Sequence, residues 1–148
     1  MYYRQLNGEL FNIARSYLLL NCVNMQGEVL SEAFAQSTPL LPNTSLQLAS
    51  VCFHERLNAH NVATVVLSDD RDIVIDTVKA ALHNVYLLCK ERHITHIAMP
   101  QLHLPLSEDV LKEIIFQTFH DLPVDFVVVD KQKHRQTAYR KSIFVKAF

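Results

Sequence analysis

The sequence predicts an α/β sandwich with a mixed and largely covered sheet. Continuous apolar runs of strand length, typical of strands buried on both faces, alternate with stretches of helical period. The 148 residues are 49% hydrophobic and 20% charged, which excludes a disordered chain and is enough for one core. No apolar run approaches the roughly 20 residues of a membrane span, so no membrane partner is expected.

The first third of the chain contains two predicted strands and a predicted helix. Tyr2 to Leu6 form the first strand, which the Asn7-Gly8 turn signal ends. Tyr17 to Val23 are a continuous apolar run and predict a buried strand. Apolar residues at near-helical spacing, with a proline beyond them, predict a short helix over Glu28 to Gln36.

The segment Leu46 to Leu57 is ambiguous. Its apolar residues recur at spacings of three and four, as in a helix, yet a strand beginning near Ala49 fits equally well. Asn58 to Asn61 resemble a turn, and the β-branched run Val62 to Leu67 predicts a strand. These neighbours favour a hairpin, although helix or strand is left open.

The second half alternates helices with strands. Asp69 to Arg92 carry one apolar stripe, with acids early and bases late, as the helix dipole favours. Ile94 to Met99 predict a buried strand that Pro100 ends. Ser107 is a suitable N-cap for another helix, and Val124 to Val129 predict the last strand. The apolar face expected for that second helix is Leu111, Ile114, Ile115 and Phe119.

Charge and cysteine content narrow the function classes. With 14 basic and 15 acidic residues the net charge is −1, which makes nucleic acid an unlikely partner. Three widely spaced cysteines indicate a reducing compartment without a disulfide framework. The first residues lack the basic and apolar regions of a signal peptide, so we expect a cytoplasmic protein.

The last segment, Lys131 to Phe148, contains six cations and no acid. It can contact phosphate or an acidic partner, or it can be a solvated segment that its apolar residues dock on the core. We expect residues 1–130 to form the domain and residues 131–148 to be a basic segment docked on it.

Three short motifs, in this order, suggest a family. Asn7-Gly8-Glu9-Leu10-Phe11 follows the first strand, Asn21-Cys22-Val23-Asn24 ends the second, and Met99-Pro100-Gln101-Leu102 ends a later one. Over about residues 1–130 the sequence resembles macro domains, especially the terminal ADP-ribose glycohydrolase and ADP-ribose-1″-phosphate phosphatase branch. The resemblance implies a three-layer α/β/α fold that binds ADP-ribose at the carboxyl ends of the central strands, where such sheets hold ligands.

The resemblance also implies a ligand-binding set. Glu9 stands where the family has an acid that accepts a hydrogen bond from the adenine amino group. The backbone amides of Leu10 and Phe11 would support the adenine side, and the Asn24 side chain would lie near the distal ribose. The full implied set is Glu9, Leu10, Phe11, Asn21, Cys22, Asn24, Gly27, Gln101, Leu102 and His103.

The phosphate-binding loops of the family are degenerate here. The stretch after the second strand, Met25 to Leu30, keeps one glycine and places Glu28 close to where two phosphates would lie. In the second loop, Leu102 to Leu106, His103 replaces a glycine and Pro105 removes an amide donor. An anionic side chain at Glu28 would repel phosphate unless it points away.

The catalytic apparatus of the branch is altered as well. Ser107 aligns with its catalytic Asp, and no lysine lies near Ser68 to Asp70, where the partner is expected. Asn24, His103 and Ser107 are the catalytic candidates that remain, while Cys22 is expected to be a buried, inert thiol. His93 and His96 have a metal-like spacing but fall on different elements, so neither a metal nor a cofactor is expected.

The sequence therefore supports three functions, and whether the chain is an enzyme stays open. The first is a divergent module that binds ADP-ribose or a related nucleotide metabolite, with catalysis lost or altered. The second is a non-catalytic module that binds a protein partner. The third is an ADP-ribosyl hydrolase or ADP-ribose-1″-phosphate phosphatase with a rebuilt site. The oligomeric state is not predicted.

Overall fold

The computed structural model describes residues 1–31, 46–57, 59–69, 73–102 and 106–131. The strands are β1 (Tyr2–Asn7), β2 (Leu18–Asn24), β3 (Val51–Leu57), β4 (His60–Ser68), β5 (His96–Pro100) and β6 (Asp125–Asp130). The helices are α1 (Ile75–Arg92) and α2 (Glu108–Phe119), and a 3₁₀ turn covers Leu10–Asn12.

The six strands form one sheet in the order β1-β6-β5-β2-β4-β3. Each neighbouring pair is parallel except β3 with β4, which is antiparallel. The mixed α/β sheet that the sequence predicts is thereby confirmed. Because β4 and β3 lie on one side of β2 while β5 and β6 lie on the other, the strand order reverses between β2 and β5.

Strand β2 lies at the centre of the core, and all seven of its residues are buried. Leu18, Leu20 and Cys22 face a cluster that contains the apolar faces of α1 and α2. Leu19 faces a second cluster, together with Leu10. The alternation is that of a strand covered on both faces, which explains why its sequence is a continuous apolar run.

Within the ambiguous segment Leu46 to Leu57, residues 51–57 form a strand and residues 46–50 do not. Val51–Leu57 pair antiparallel with β4, so the predicted hairpin is confirmed. The backbone N–H of Ala49 donates to the carbonyl of Val66 at 2.8 Å, which extends the contact before β3 begins. Pairing with β4, which is rich in β-branched residues, determines that residues 51–57 form a strand, although the spacing of their apolar residues also fits a helix.

Helix α1 is shorter than predicted. It begins at Ile75 rather than Asp69, because Ile73 forms a bridge with Ser68 and Val74 is extended, with φ −106° and ψ 135°. The helix ends at Arg92, and His93, with a left-handed φ of 56°, caps it. Asp69 therefore precedes the helix, and residues 70–72 lie outside the described ranges.

The helix predicted over Glu28 to Gln36 is wrong where it can be compared. Val29 forms an antiparallel bridge with Val23, so the chain folds back beside β2 instead of starting a helix. Residues 32–36 lie outside the described residues. The reason is local, because Gly27 with φ 84° reverses the chain before a helix can begin.

The second half follows the prediction more closely. Ser107 caps α2, and its hydroxyl accepts a hydrogen bond from the backbone N–H of Val110 at 3.2 Å. The four apolar residues predicted for the face of α2 are all buried. Among the described helices, none combines the length and apolar character needed to cross a bilayer. The predicted docking of the basic segment concerns residues 132–148, which lie outside the described part.

Candidate functional site

Five parallel strands end at one side of the sheet, here called the carboxyl edge. It is formed by Asn7, Asn24, Ser68, Pro100 and Asp130, the last residues of β1, β2, β4, β5 and β6. Open α/β sheets bind ligands beyond this edge, at the point where the strand order reverses. The edge, and above all the gap between β2 and β5, is therefore the place to look for a site.

Both glycines of the chain lie at the carboxyl edge. Gly8 follows β1 with φ 152°, and its N–H donates to the carbonyl of Asp130 at 3.1 Å. Gly27 lies in the turn after β2 with φ 84°. Both conformations are ones that L-residues rarely adopt, so the glycines are needed for the two turns that shape the site.

The acid Glu9 begins the 3₁₀ turn after β1. Its Oε1 lies 3.1 Å from Nζ of Lys131, and the two side chains are 49% and 54% exposed. Beside Glu9 is a groove of about 300 Å³. The groove is lined by Leu6, Asn7, Gly8, Glu9, Asn12, Ile13 and Val129.

Leu10 and Phe11 fix the 3₁₀ turn to the sheet. The Leu10 side chain is buried in the second core cluster, and Phe11 packs against that cluster. The Phe11 ring also meets the His60 ring edge-on, with the centroids 6.3 Å apart. The predicted adenine-side residues are thus held at the end of β1 by apolar packing.

Asn24 organises the turn after β2. Its Oδ1 accepts the backbone N–H groups of Gln26 at 3.0 Å and Glu28 at 2.9 Å. Its Nδ2 donates to Oε1 of Glu28 at 2.8 Å, and its own N–H donates to the Glu28 carbonyl at 3.0 Å. Glu28 therefore points towards Asn24, and the two residues form one hydrogen-bonded unit.

The fold-back segment, Glu28–Leu30, occupies the gap between β2 and β5. These strands pair only at Leu18 and Leu19 of β2, so the rest of that side of β2 is left open. Leu30 donates its N–H to the Cys22 carbonyl at 2.8 Å, next to the bridge between Val23 and Val29. The loop after β2 thus forms a short, strand-like segment at the switch point of the sheet.

Asn21 and Cys22 lie inside the sheet rather than at its edge. Asn21 is fully buried, and both polar atoms of its amide lack a hydrogen-bond partner among the described residues. Cys22 is buried against the helices, and burial raises the pKa of its thiol to about 12. Such a thiol stays protonated and is a poor nucleophile, which agrees with the inert role expected from the sequence.

The chain after β5 lies beside the end of β6. Gln101 is buried, donates its N–H to the Val129 carbonyl at 2.9 Å, and donates Nε2 to the Leu102 carbonyl at 3.2 Å. The Leu102 side chain packs into the helix-side core. His103 lies outside the described residues, and the hydroxyl of Ser107 is occupied as a helix cap.

The structure thus gathers the expected residues into two groups. Glu9, Leu10 and Phe11 lie at the end of β1, while Asn24 and Gly27 lie at the end of β2. Sequence reasoning misses two contacts, the approach of Lys131 to Glu9 and the hydrogen bonds between Glu28 and Asn24. In the ranges that are described, no three His, Cys, Asp or Glu side chains come together as a metal-binding group.

Comparisons with known proteins agree on the architecture. No protein-family model matches the sequence, and no curated protein matches it either. Among solved structures, a Trypanosoma brucei macrodomain in complex with ADP-ribose aligns with a TM-score of 0.70 at 10% identity, over 96% of this chain and 69% of the other.

Two bacterial structures agree with it. The macrodomain of Mycobacterium tuberculosis DarG gives a TM-score of 0.68 at 16% identity, over 86% of this chain and 96% of its own. A mutant of the Oceanobacillus iheyensis macrodomain with ADPR gives 0.67 at 13% identity, over 95% and 90%. The order of the strands, the two helices and these superpositions together establish that this chain has the macrodomain fold.

Proposed function

We propose that the protein is a divergent macrodomain-type module that binds ADP-ribose or a related nucleotide metabolite at the carboxyl edge of its sheet. Two of the similar structures are described as ADP-ribose complexes. The observation that carries the proposal is that the groove beside Glu9 and the Asn24 turn lie at the same edge, with the β2–β5 switch point between them.

The chemistry at each group fits such a ligand. The Glu9 carboxylate is half exposed beside an open groove, so it can accept a hydrogen bond from an exocyclic amino group. Lys131 adds a positive charge at the same rim, which favours an anionic ligand. Asn24 lies at the end of the central strand, where its buried side-chain amide holds the turn in place through hydrogen bonds to Gln26 and Glu28.

Catalysis in this proposal is lost or altered. The hydroxyl of Ser107 caps α2, and Cys22 is a buried neutral thiol, so neither offers an activated nucleophile. The described residues supply no base paired with a nucleophile at the edge. Turnover of an ADP-ribosylated protein or of ADP-ribose-1″-phosphate at high protein concentration would contradict this part and favour the hydrolase alternative.

The binding proposal is tested by calorimetric titration of ADP-ribose, with AMP as the control ligand. We expect binding in the micromolar range, and weaker binding in Glu9→Ala and Asn24→Ala. A ligand at 100 times its Kd stabilises a fold by about 2.7 kcal/mol, so a rise in Tm provides an independent check.

Glu113→Gln is the matched control, because it removes an acid from α2, away from the residues assigned to the site. Its affinity should equal that of the unmodified protein. Equal affinity in all of these variants would refute the site assignment. Absence of binding by the unmodified protein would refute the proposal and favour the protein-binding alternative.

A further inference from the structure

Strand β1 is the last strand on its side of the sheet, and its outer edge has no partner strand in the described part of the chain. The backbone N–H groups of Tyr2 and Gly8 donate to carbonyls in and next to β6, at 2.8 and 3.1 Å. Backbone N–H and C=O groups alternate in direction along a strand. The groups that point away from β6 are therefore those of Tyr3, Gln5 and Asn7.

The outer edge of β3, on the other side of the sheet, is protected against pairing. Its register with β4 is interrupted, Glu55 is exposed, and the Arg92 guanidinium lies 4.0 Å from the centre of the Phe53 ring. Bulges and charges of this kind keep an edge from pairing with another chain. β1 has neither, because its register with β6 is unbroken and its one charged residue, Arg4, is paired with Asp125.

Exposed apolar side chains lie on both faces of the β1 edge. On one face Tyr2 is 63% and Leu6 is 38% exposed. On the other face Phe116 of α2 is 42% exposed, and its ring centroid lies 5.4 Å from that of Tyr3. Unpaired backbone beside exposed apolar groups favours an added strand as the partner. The net charge of the chain is only −1, so a second copy meets little electrostatic repulsion.

A second copy can pair with β1 in an antiparallel register that uses every outward backbone group. When a two-fold axis passes between the two Gln5 residues, Tyr3 of each copy lies opposite Asn7 of the other. An axis one residue earlier would place two Arg4 side chains opposite each other, and such like charges destabilise pairing. An axis one residue later would leave Tyr3 without a partner. The chemistry of β1 therefore favours the register centred on Gln5.

The same register matches an exposed ring with an open position. Tyr2 of one copy lies opposite Gly8 of the other, where an added Cβ would meet no atom within 4 Å. An aromatic ring placed across from a glycine covers the backbone that the glycine leaves bare. Because Gly8 lines the groove beside Glu9, the ring from the second copy also borders that groove.

We infer that the outer edge of β1 is the interface of a two-fold symmetric dimer, in which the β1 strands of two copies pair antiparallel about Gln5. The pairing joins the two sheets into one, gives the outward backbone groups of each copy a partner, and covers the exposed apolar side chains beside them. The inference does not depend on the proposed ligand, so either can fail without the other.

Analytical ultracentrifugation of the full chain, from micromolar to millimolar concentration, tests the dimer. We expect a reversible equilibrium between one chain and two. Gln5→Pro removes an outward N–H that the ladder between β1 and β6 does not use, so it should block pairing and keep the fold. We expect this variant to be monomeric at every concentration, with an unchanged circular dichroism spectrum. An unmodified chain that stays monomeric at millimolar concentration, or a folded Gln5→Pro that still dimerises, would overturn the inference.

Tyr2→Ala is the milder variant, and its exposed side chain makes a folding defect less of a concern. The two-fold axis removes the contact between ring and glycine twice, so the dimer should dissociate about tenfold more readily. Leu87→Ala is the matched control, because it truncates an exposed apolar side chain of α1, a helix that packs on β3 and β4. Equal association of these two variants would refute the register.

Hydrogen exchange distinguishes a second copy from any other occupant of the edge. The backbone amides of Tyr3, Gln5 and Asn7 should be protected in concentrated protein and should exchange rapidly after dilution. Protection that is the same at all concentrations would mean that another segment of the same chain covers the edge, and it would overturn the dimer.

Discussion

Polar residues have different roles at the carboxyl edge of the sheet and at the opposite side, where the parallel strands begin, here called the amino edge. At the amino edge, Arg4 Nη2 donates to Asp125 Oδ2 at 2.9 Å and to the Tyr17 hydroxyl at 2.8 Å, and that hydroxyl donates to the same Asp125 oxygen. These residues come from β1, from the segment before β2 and from β6. At the carboxyl edge, by contrast, Asn24 bonds to a residue four positions away, and Glu9 pairs with a half-exposed lysine.

This contrast indicates that the amino edge stabilises the fold and that the carboxyl edge is the side suited to binding a ligand. The amino-edge network joins distant parts of the chain and is partly buried, so it adds side-chain contacts that stabilise the sheet. Burial, followed by the Asp125 hydrogen bond, raises the pKa of Tyr17, so this hydroxyl stays a donor to higher pH than that of an exposed tyrosine. The carboxyl-edge contacts are confined to one turn or are half exposed, so they contribute less to holding distant strands together.

The largest effect is expected at the amino edge. Asp125→Ala removes the acceptor of the Tyr17 hydroxyl and the anionic partner of the Arg4 guanidinium, so we expect a loss of about 2–3 kcal/mol in the free energy of unfolding. The Arg4 and Asp125 side chains are 36% and 21% exposed, which keeps the loss below that of a fully buried pair. Urea denaturation measures it.

The folded Asp125→Ala protein should bind ADP-ribose with the same affinity as the unmodified protein. Tyr17→Phe is the milder companion, because it removes one hydroxyl and should cost about 1 kcal/mol. A loss of less than about 0.5 kcal/mol in Asp125→Ala would mean that the amino edge does not stabilise the sheet as argued.

An intermediate effect is expected in the turn after β2. Gly27→Ala forces a side chain into the left-handed region at φ 84°, which costs roughly 1–2 kcal/mol. Because Gly27 sets the position of Glu28 relative to Asn24, ADP-ribose binding should weaken along with the Tm. Gly8→Ala is the comparison, since its Cβ would meet no atom within 4 Å and only backbone strain remains. Equal affinity in Gly27→Ala and the unmodified protein would argue against a role for the turn.

The smallest effect is expected for Lys131→Gln. Its ion pair with Glu9 joins two side chains that are about half exposed, and such pairs contribute roughly 0–1 kcal/mol. Thermal unfolding should therefore barely change, whereas the salt dependence of ADP-ribose binding should become weaker because one cation is lost from the rim. A drop in stability comparable to that of Asp125→Ala would erase the distinction between the two edges.

The fold could be predicted where one face or one cap determines the local structure. The continuous apolar run of β2 and the Ser107 cap are visible in the sequence, because burial on both faces and N-capping require particular residues. The start of α1 is not visible there, since it depends on the β-bridge between Ile73 and Ser68, which the helical period of the sequence does not reveal. The helix predicted after β2 is absent for a similar reason, because Gly27 reverses the chain and Val29 pairs with Val23.

The candidate site was predictable only in part for a similar reason. Motifs such as Asn7 to Phe11 could be recognised, because the order and spacing of their residues are visible in the sequence itself. The approach of Lys131 to Glu9 appears only when β6 is placed beside β1, and the sequence does not give strand order directly. The contact between Lys131 and Glu9 could have been expected only from the knowledge that β1 and β6 end at the same edge of the sheet.

The short pairing between β2 and β5 makes the connection between these two strands mechanically weak. Only two residue pairs, Leu18 with Ile97 and Leu19 with Ala98, join these central strands. The sheet is in effect two three-stranded halves, of which one carries Glu9 and the other carries Asn24. A ligand that contacts both Glu9 and Asn24 therefore connects the two halves. Without a ligand, we expect the sheet to bend or open first between β2 and β5.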